Sequence, residues 1–197
     1  YKGKKVILAI PPPVAAKIIY TRPLPVQRWQ LMNDCFMGSV IKCYAIYKKP
    51  FWRERKLNGL CASPGDIVSV TFDNSPSDAN KGIFMGFILG EKANQLLNIP
   101  EEERRKIVLE NFGRFLGPEA LQPELYLDKS FKNEAWSTGC YAGMMPVNSL
   151  TKNATPLAEP TGNLHWAGTE TSDQYNGYME GAVRAGERAA GEILNSL

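Results

Sequence analysis

Three places in this chain of 197 residues set side chains where they could do chemistry. Cys140 stands between Gly139 and Tyr141 in the run Trp136-Ser-Thr-Gly-Cys-Tyr-Ala-Gly143. A thiol on so flexible a turn is accessible, and accessible thiols are the ones that react. The same spot also suits a small apolar side chain filling a turn, a common use of cysteine. Lys42 is a cation inside the apolar run Ser39-Val-Ile-Lys-Cys-Tyr-Ala-Ile-Tyr47. It fits a solvent-facing edge strand, where lysine is frequent. It fits equally well the wall of a cavity, because Val40 and Tyr44 share its face and both can be buried. The third place is Trp166-Ala-Gly-Thr-Glu-Thr-Ser-Asp-Gln-Tyr-Asn-Gly-Tyr-Met-Glu-Gly-Ala182. Gly177 and Gly181 lie at and just inside a helix start, where a missing Cβ lets another surface approach the backbone. A strand, a glycine-bearing turn and a small-residue helix opening can dock an anionic or planar cofactor. They also describe an ordinary strand-turn-helix joint.

The elements around these residues follow from local pattern. Asn163 to Trp166 is a short apolar run fit for a buried strand. Met179 to Leu194 is a helix, with Met179, Ala182, Val183, Gly186, Ala189, Ala190, Ile193 and Leu194 at three-to-four spacing as its expected buried stripe. Lys5 to Ile10 reads as a strand covered on both faces, and a helix is expected after Pro25. Ser39–Tyr47 is rich in β-branched and aromatic residues and is a strand. Further strands are expected over 66–72, 82–89 and 121–128, with the loop 73–81 joining the first two. Glu91 to Leu97 is a short helix. Another opens at Pro100, with acids at its positive end, and runs to Gly117-Pro118. Its charge run 101–106 is a solvated face. Residues 144–162 read as loop.

Composition narrows the function classes. The net charge of +3 is spread through the chain, without the basic stripe of a nucleic-acid groove. No apolar run approaches the roughly twenty residues of a bilayer span, and the opening Tyr1-Lys-Gly-Lys-Lys5, running straight into a strand, is not expected to be a signal peptide. Cys35, Cys43, Cys61 and Cys140 form no Cys-x-x-Cys pair, and His165 is the single histidine, which argues against zinc. So few cysteines do not make a disulfide framework and lean towards a reducing compartment.

The wording of the motifs goes further than their spacing. Ala167-Gly-Thr-Glu-Thr171, Gly177-Tyr-Met-Glu-Gly-Ala-Val183 and Ala185-Gly-Glu-Arg-Ala-Ala190 closely resemble the C-terminal end of flavin-containing monoamine oxidases. Met37-Gly-Ser-Val-Ile-Lys-Cys43, Tyr47-Lys-Lys-Pro-Phe-Trp52, Met85-Gly-Phe-Ile-Leu89 and Val6-Ile-Leu-Ala-Ile-Pro-Pro12 are similar to that family as well. The resemblance covers nearly the whole chain. It implies FAD as cofactor, an amine and dioxygen as reactants, and an imine and hydrogen peroxide as products. It places Lys42 in the interior, holding a water against the flavin. Ser137-Thr-Gly-Cys-Tyr141 is similar to the family's attachment motif and implies a thioether from Cys140 to the flavin. Tyr141 and Tyr178 match the paired tyrosines of an aromatic cage that orients the amine. Gly168, Thr169, Gly177 and Met179 match backbone that lines the flavin, and Val70, Phe72 and Phe87 match the substrate cavity.

The chain also departs from the family. Phe131 replaces a tryptophan that packs by the flavin, Val70 occupies a gate position, and the membrane-inserted tail of the animal enzymes has no counterpart within residues 1–197. No Gly-x-Gly-x-x-Gly occurs, so the loop that cradles a dinucleotide pyrophosphate is missing. The chain is therefore expected to be the C-terminal part of a longer flavoenzyme of α/β class with α+β character. Residues 1–31 and 137–197 would belong to a Rossmann-like FAD domain, the latter as strand-turn-helix portions. Residues 32–136 would form a substrate domain on a mixed β-sheet with helices. A homodimer is compatible with the resemblance. The expected location is cytoplasmic, or the mitochondrial outer membrane if an anchor has been removed. Polyamine or L-amino-acid oxidation are alternatives within the same superfamily. A non-catalytic fragment unable to hold FAD alone is an alternative outside it.

Overall fold

The computed structural model of the protein describes residues 2–149 and 157–196. Part of the segment 144–162 expected to be loop, residues 150–156, lies outside the described residues. The chain forms two compact units: Tyr1–Gly38 with Lys132–Leu197, and Ser39–Phe131.

The second unit is built on a five-stranded sheet. Its strands are β3 (Val40–Tyr47), β4 (Cys61–Ala62), β5 (Val70–Asp73), β6 (Gly82–Leu89) and β7 (Leu125–Ser130), in the order β4-β5-β6-β3-β7. Every pairing in it is antiparallel. Strand side chains alternate between faces, so Ile41, Cys43, Ala45 and Tyr47 all point one way. They meet Phe84 and Ile88 of β6, then Ala93 and Leu96 of helix α4 (Glu91–Leu97) and Val108 and Phe112 of helix α5 (Glu101–Leu116). Each such aliphatic or aromatic side chain taken out of water contributes about 1.5–3 kcal/mol. The sheet's acids are on this covered face. Asp128 takes a bidentate pair from Arg104, Nε at 2.8 Å and Nη2 at 2.9 Å. Asp73 accepts from Arg53 Nε at 2.6 Å and Trp52 Nε1 at 2.9 Å. Trp52 belongs to the short helix α3 (Phe51–Glu54).

The first unit holds helix α1 (Pro12–Ala15), helix α2 (Val26–Asp34) and two small sheets. Strand β1 (Val6–Leu8) runs parallel to β9 (Leu164–Trp166), and β2 (Phe36–Met37) runs antiparallel to β8 (Gly143–Met144). Val6 and Ile7 stay 42% and 41% exposed. The run 5–10 was expected to be covered on both faces; among the described residues it has one strand neighbour and exposed side chains. Ala15, Met32 and Trp166 make the buried cluster of this unit. The last helix, α6 (Met179–Leu194), has the expected bounds but not the expected face. Of the expected stripe Ala189 is buried, but Met179, Ala182, Val183, Ala190 and Leu194 are exposed, and Gly181 and Ala185 are buried instead. Small residues four apart let the helix axis come close to β9 and to the turn after it, and closeness decides the face ahead of side-chain size.

Candidate functional site

In the first unit, β9 delivers the motif turn. Ala167 N–H donates to the Leu8 carbonyl at 2.8 Å, and the chain passes Gly168 into a 3-10 turn, Thr169–Thr171. Arg188 of α6 holds that turn from behind. Its Nη2 donates to the Trp166 carbonyl at 2.7 Å and to Thr171 Oγ1 at 3.0 Å. His165 is tied to the same helix, with Nδ1 2.9 Å from Glu192 Oε2. Thr169 Oγ1 donates to the Tyr178 carbonyl at 2.8 Å. Gly177 has φ +85°, a region that glycine occupies without strain. A Cβ on Gly181 would collide with the Tyr175 carbonyl oxygen and lie 2.8 Å from Thr169 Oγ1. The surface approaching Gly181 is therefore the protein's own turn.

The segment carrying Cys140 comes to the same place. Cys140 N–H donates to the Gly38 carbonyl at 3.1 Å, the Cys140–Tyr141 peptide is cis, and Gly143 N–H donates to Glu170 Oε1 at 2.7 Å. A Cβ built on Gly177 would sit 4.0 Å from that of Ala142. Residues next to Tyr141 and Tyr178 thus meet in space although 35 positions separate them in sequence. Both tyrosines are exposed, 64% and 72%, as is Met179, while Cys140 is a half-buried thiol. Gly168, with φ +96°, and Thr169 are half-buried beside them. A planar aromatic ring suits this set: two phenol faces, a reachable thiol, and glycine backbone that adds no side chain of its own.

In the second unit, Lys42 is half-buried on β3, which is flanked by β6 and β7. The edge-strand reading of Lys42 is excluded by that flanking. It lies on the sheet face opposite the helices. Val70, Phe87, Lys42 and Lys129 form one cross-strand row there, and Phe72, Met85, Tyr44 and Leu127 form the next. Lys42 Nζ stands 5.1 Å from the Tyr44 ring centroid and 5.5 Å from that of Phe87. Phe72 and Phe87 meet edge to face at 6.1 Å. Lys42, Val70, Phe72 and Phe87, scattered over 45 positions, are thus gathered on one apolar surface. Phe131 is half-exposed just past β7, with Lys129 Nζ 5.9 Å from its ring centroid. The groove of about 600 Å³ lined by Ile18, Ile19, Tyr20, Leu24 and Trp29 holds none of the expected site residues.

Sequence reasoning missed two positioning side chains, Glu170 and Arg188. Both stand inside the motif runs, but the Gly143 amide and the Trp166 carbonyl that they bind lie far off in sequence, and no local pattern announces them. Among the described residues no cluster of His, Cys, Asp and Glu could hold a metal, and no helix is long and apolar enough to cross a membrane.

Comparison with known proteins agrees with the motif wording. The model of the family described as flavin containing amine oxidoreductase matches residues 1–194. Amine oxidase [flavin-containing] B of Canis lupus familiaris is 43% identical across the whole chain, which spans 38% of that relative's length. The flavin-containing amine oxidase of Danio rerio is 42% identical with the same coverage. A putrescine oxidase triple mutant from a structure-based redesign of cofactor binding superposes with a TM-score of 0.93 at 32% identity, over 98% of this chain and 43% of that one. Cyclohexylamine oxidase from Brevibacterium oxydans gives 0.92 at 30% identity, with the same coverage of each chain. With the match spanning almost every residue, the chain belongs to the flavin containing amine oxidoreductase family.

Proposed function

We propose that the protein of which these residues are part oxidises amines. The convergence of the Cys140–Ala142 segment on the Gly177–Tyr178 turn carries the reading. A flavin, when bound, supplies the two-electron oxidation of the amine to an imine, with dioxygen as final acceptor, hydrogen peroxide as product, and water then releasing an aldehyde. The first unit would provide the flavin-holding residues, Gly168, Thr169, Gly177 and Met179, with Cys140 joined to the flavin through a thioether. Tyr141 and Tyr178 would hold the neutral amine between their electron-rich faces. The second unit would provide the substrate surface, with Val70, Phe72 and Phe87 against the amine's substituent and exclusion of bulk water from it. Lys42, kept among aromatic rings, would bind a water for proton transfer.

The open sheet face also bears on the substrate class. Its described side chains are apolar apart from Lys42, Lys129 and the Tyr44 phenol, and Asp73 and Asp128 are on the other face, engaged by Arg53 and Arg104. Among the described strand residues of that face a second ammonium group meets cations and no carboxylate. The favoured substrate is therefore a monoamine with an apolar substituent. The Lys42–Lys129 row supports a second reading, an amine that also carries a carboxylate. Peroxide release by the full-length protein, compared across benzylamine, putrescine and phenylalanine, separates these readings. Activity confined to putrescine would refute the first. Mass analysis of the Cys140 peptide from the same protein tests the thioether, with the unmodified peptide mass as the refuting result.

A further inference from the structure

Glu170 has no task in the chemistry above, yet its burial asks for one. It is 7% exposed, and carboxylates accept such burial only when hydrogen-bonded. Its Oε1 accepts the Gly143 N–H at 2.7 Å, two residues beyond Tyr141 and 27 positions away in sequence. Its own carbonyl accepts Asn176 Nδ2 at 3.1 Å, two residues before Tyr178. The neighbouring Thr169 hydroxyl donates to the Tyr178 carbonyl at 2.8 Å. A single 3-10 turn, held from behind by Arg188, therefore grips both phenol-bearing segments.

We propose that Glu170 is a positioning residue, with Thr169 as its second arm, that fixes the separation of Tyr141 and Tyr178. The proposal rests on the amine-oxidation reading. The two segments already touch, 4.0 Å between Ala142 Cβ and the Cβ direction of Gly177, so the clamp sets a spacing with little slack. A buried N–H left without its acceptor loses the compensation for its desolvation, so the Gly143 amide needs the Glu170 oxygen or a substitute of the same shape. Removing the acceptor frees the Tyr141–Gly143 segment to move away from the turn. A displacement of about 1 Å in a substrate-positioning group can cost on the order of a hundredfold in rate.

The test uses the full-length, flavin-loaded protein. Glu170→Gln keeps an acceptor of the same shape, Glu170→Ala removes it, Thr169→Ser keeps the hydroxyl and Thr169→Val removes it. Two readouts are taken: hydrogen exchange of the peptide containing Gly143, and the anaerobic rate at which benzylamine bleaches the flavin absorption. Glu170→Ala is expected to speed exchange at Gly143 and slow bleaching about tenfold or more, with KM changed by less than about threefold and flavin content unchanged. Glu170→Gln stays close to wild type in both. Thr169→Val slows bleaching more than Thr169→Ser does, at equal flavin content. The proposal is overturned if Glu170→Ala leaves exchange and bleaching at wild-type rates, or if Glu170→Gln loses as much as Glu170→Ala. If Glu170→Ala does not fold, equal bleaching by the two Thr169 variants overturns it. A wild-type protein that never bleaches refutes amine oxidation instead, and exchange at Gly143 then decides the clamp on its own.

Discussion

Three glycines of α6 allow the packing of the motif turn to be measured against an internal control. Gly181, Gly186 and Gly191 are all interior to the same helix. Replacing an interior helix glycine by alanine gains about 1 kcal/mol, partly by restricting the unfolded chain. At Gly186 and Gly191 a Cβ meets nothing within 4 Å, so that gain should be realised nearly in full. At Gly181 the same Cβ collides with the Tyr175 carbonyl and presses on Thr169 Oγ1 at 2.8 Å. One obstacle is backbone and the other is engaged with Tyr178, so neither yields cheaply. Overpacking of this kind costs about 1–3 kcal/mol. Both substitutions share the propensity gain, so the difference between them isolates the clash. Gly181→Ala should be less stable than Gly186→Ala by about 1–3 kcal/mol. Urea unfolding of the full-length protein followed by tryptophan fluorescence measures the difference, and peroxide release is read on the same samples. Gly181→Ala should also lose activity, because the atoms it displaces hold Tyr178, whereas Gly186→Ala should not. Equal stability and equal activity for the two variants would refute the account of α6 as a helix held close by its small residues.

The remaining predictions concern the sheet. Phe84 and Phe87 are three residues apart on β6, and they face opposite sides. Phe84→Ala removes a fully buried ring and should cost about 3–5 kcal/mol of stability. Phe87→Ala should cost less stability and raise KM for an apolar amine; a larger stability loss at Phe87 would contradict the assignment of faces. For Asp73, burial by itself raises the pKa, but hydrogen bonds from Arg53, Ser75 and Trp52 outweigh it and hold the carboxyl at about 2. A depressed pKa gives stability that is fully present above the unfolded value near 3.9 and lost as pH falls towards 2, worth roughly 2 kcal/mol. Asp73→Asn should be less stable at neutral pH by about that amount and should flatten the acid limb between pH 4 and 2. An unchanged acid limb in urea titrations at those pH values would count against the Asp73 cluster.

What the sequence determined alone is what depends on near neighbours. The eight residues of β6, the whole of α5 and both ends of α6 follow from apolar runs, helical spacing and flanking turn residues, because these act over a few bonds. The motif wording likewise singled out Cys140, Tyr141, Tyr178 and Lys42 as expected site residues, by resemblance and without geometry. Tertiary structure decided which surfaces those elements use. The Lys42 run looked the same as an edge or a central strand until β6 and β7 closed on both its sides. The apolar stripe of α6 was a sound amphipathic pattern, yet the glycine–alanine stripe is the buried one, since only small residues admit the close approach of β9 and its turn. Glu170 was legible as a letter in the motif but not as a clamp, because its partner amide lies 27 positions away. Bonds between groups far apart in sequence leave no periodic trace in a chain, and only the folded path brings their two ends together.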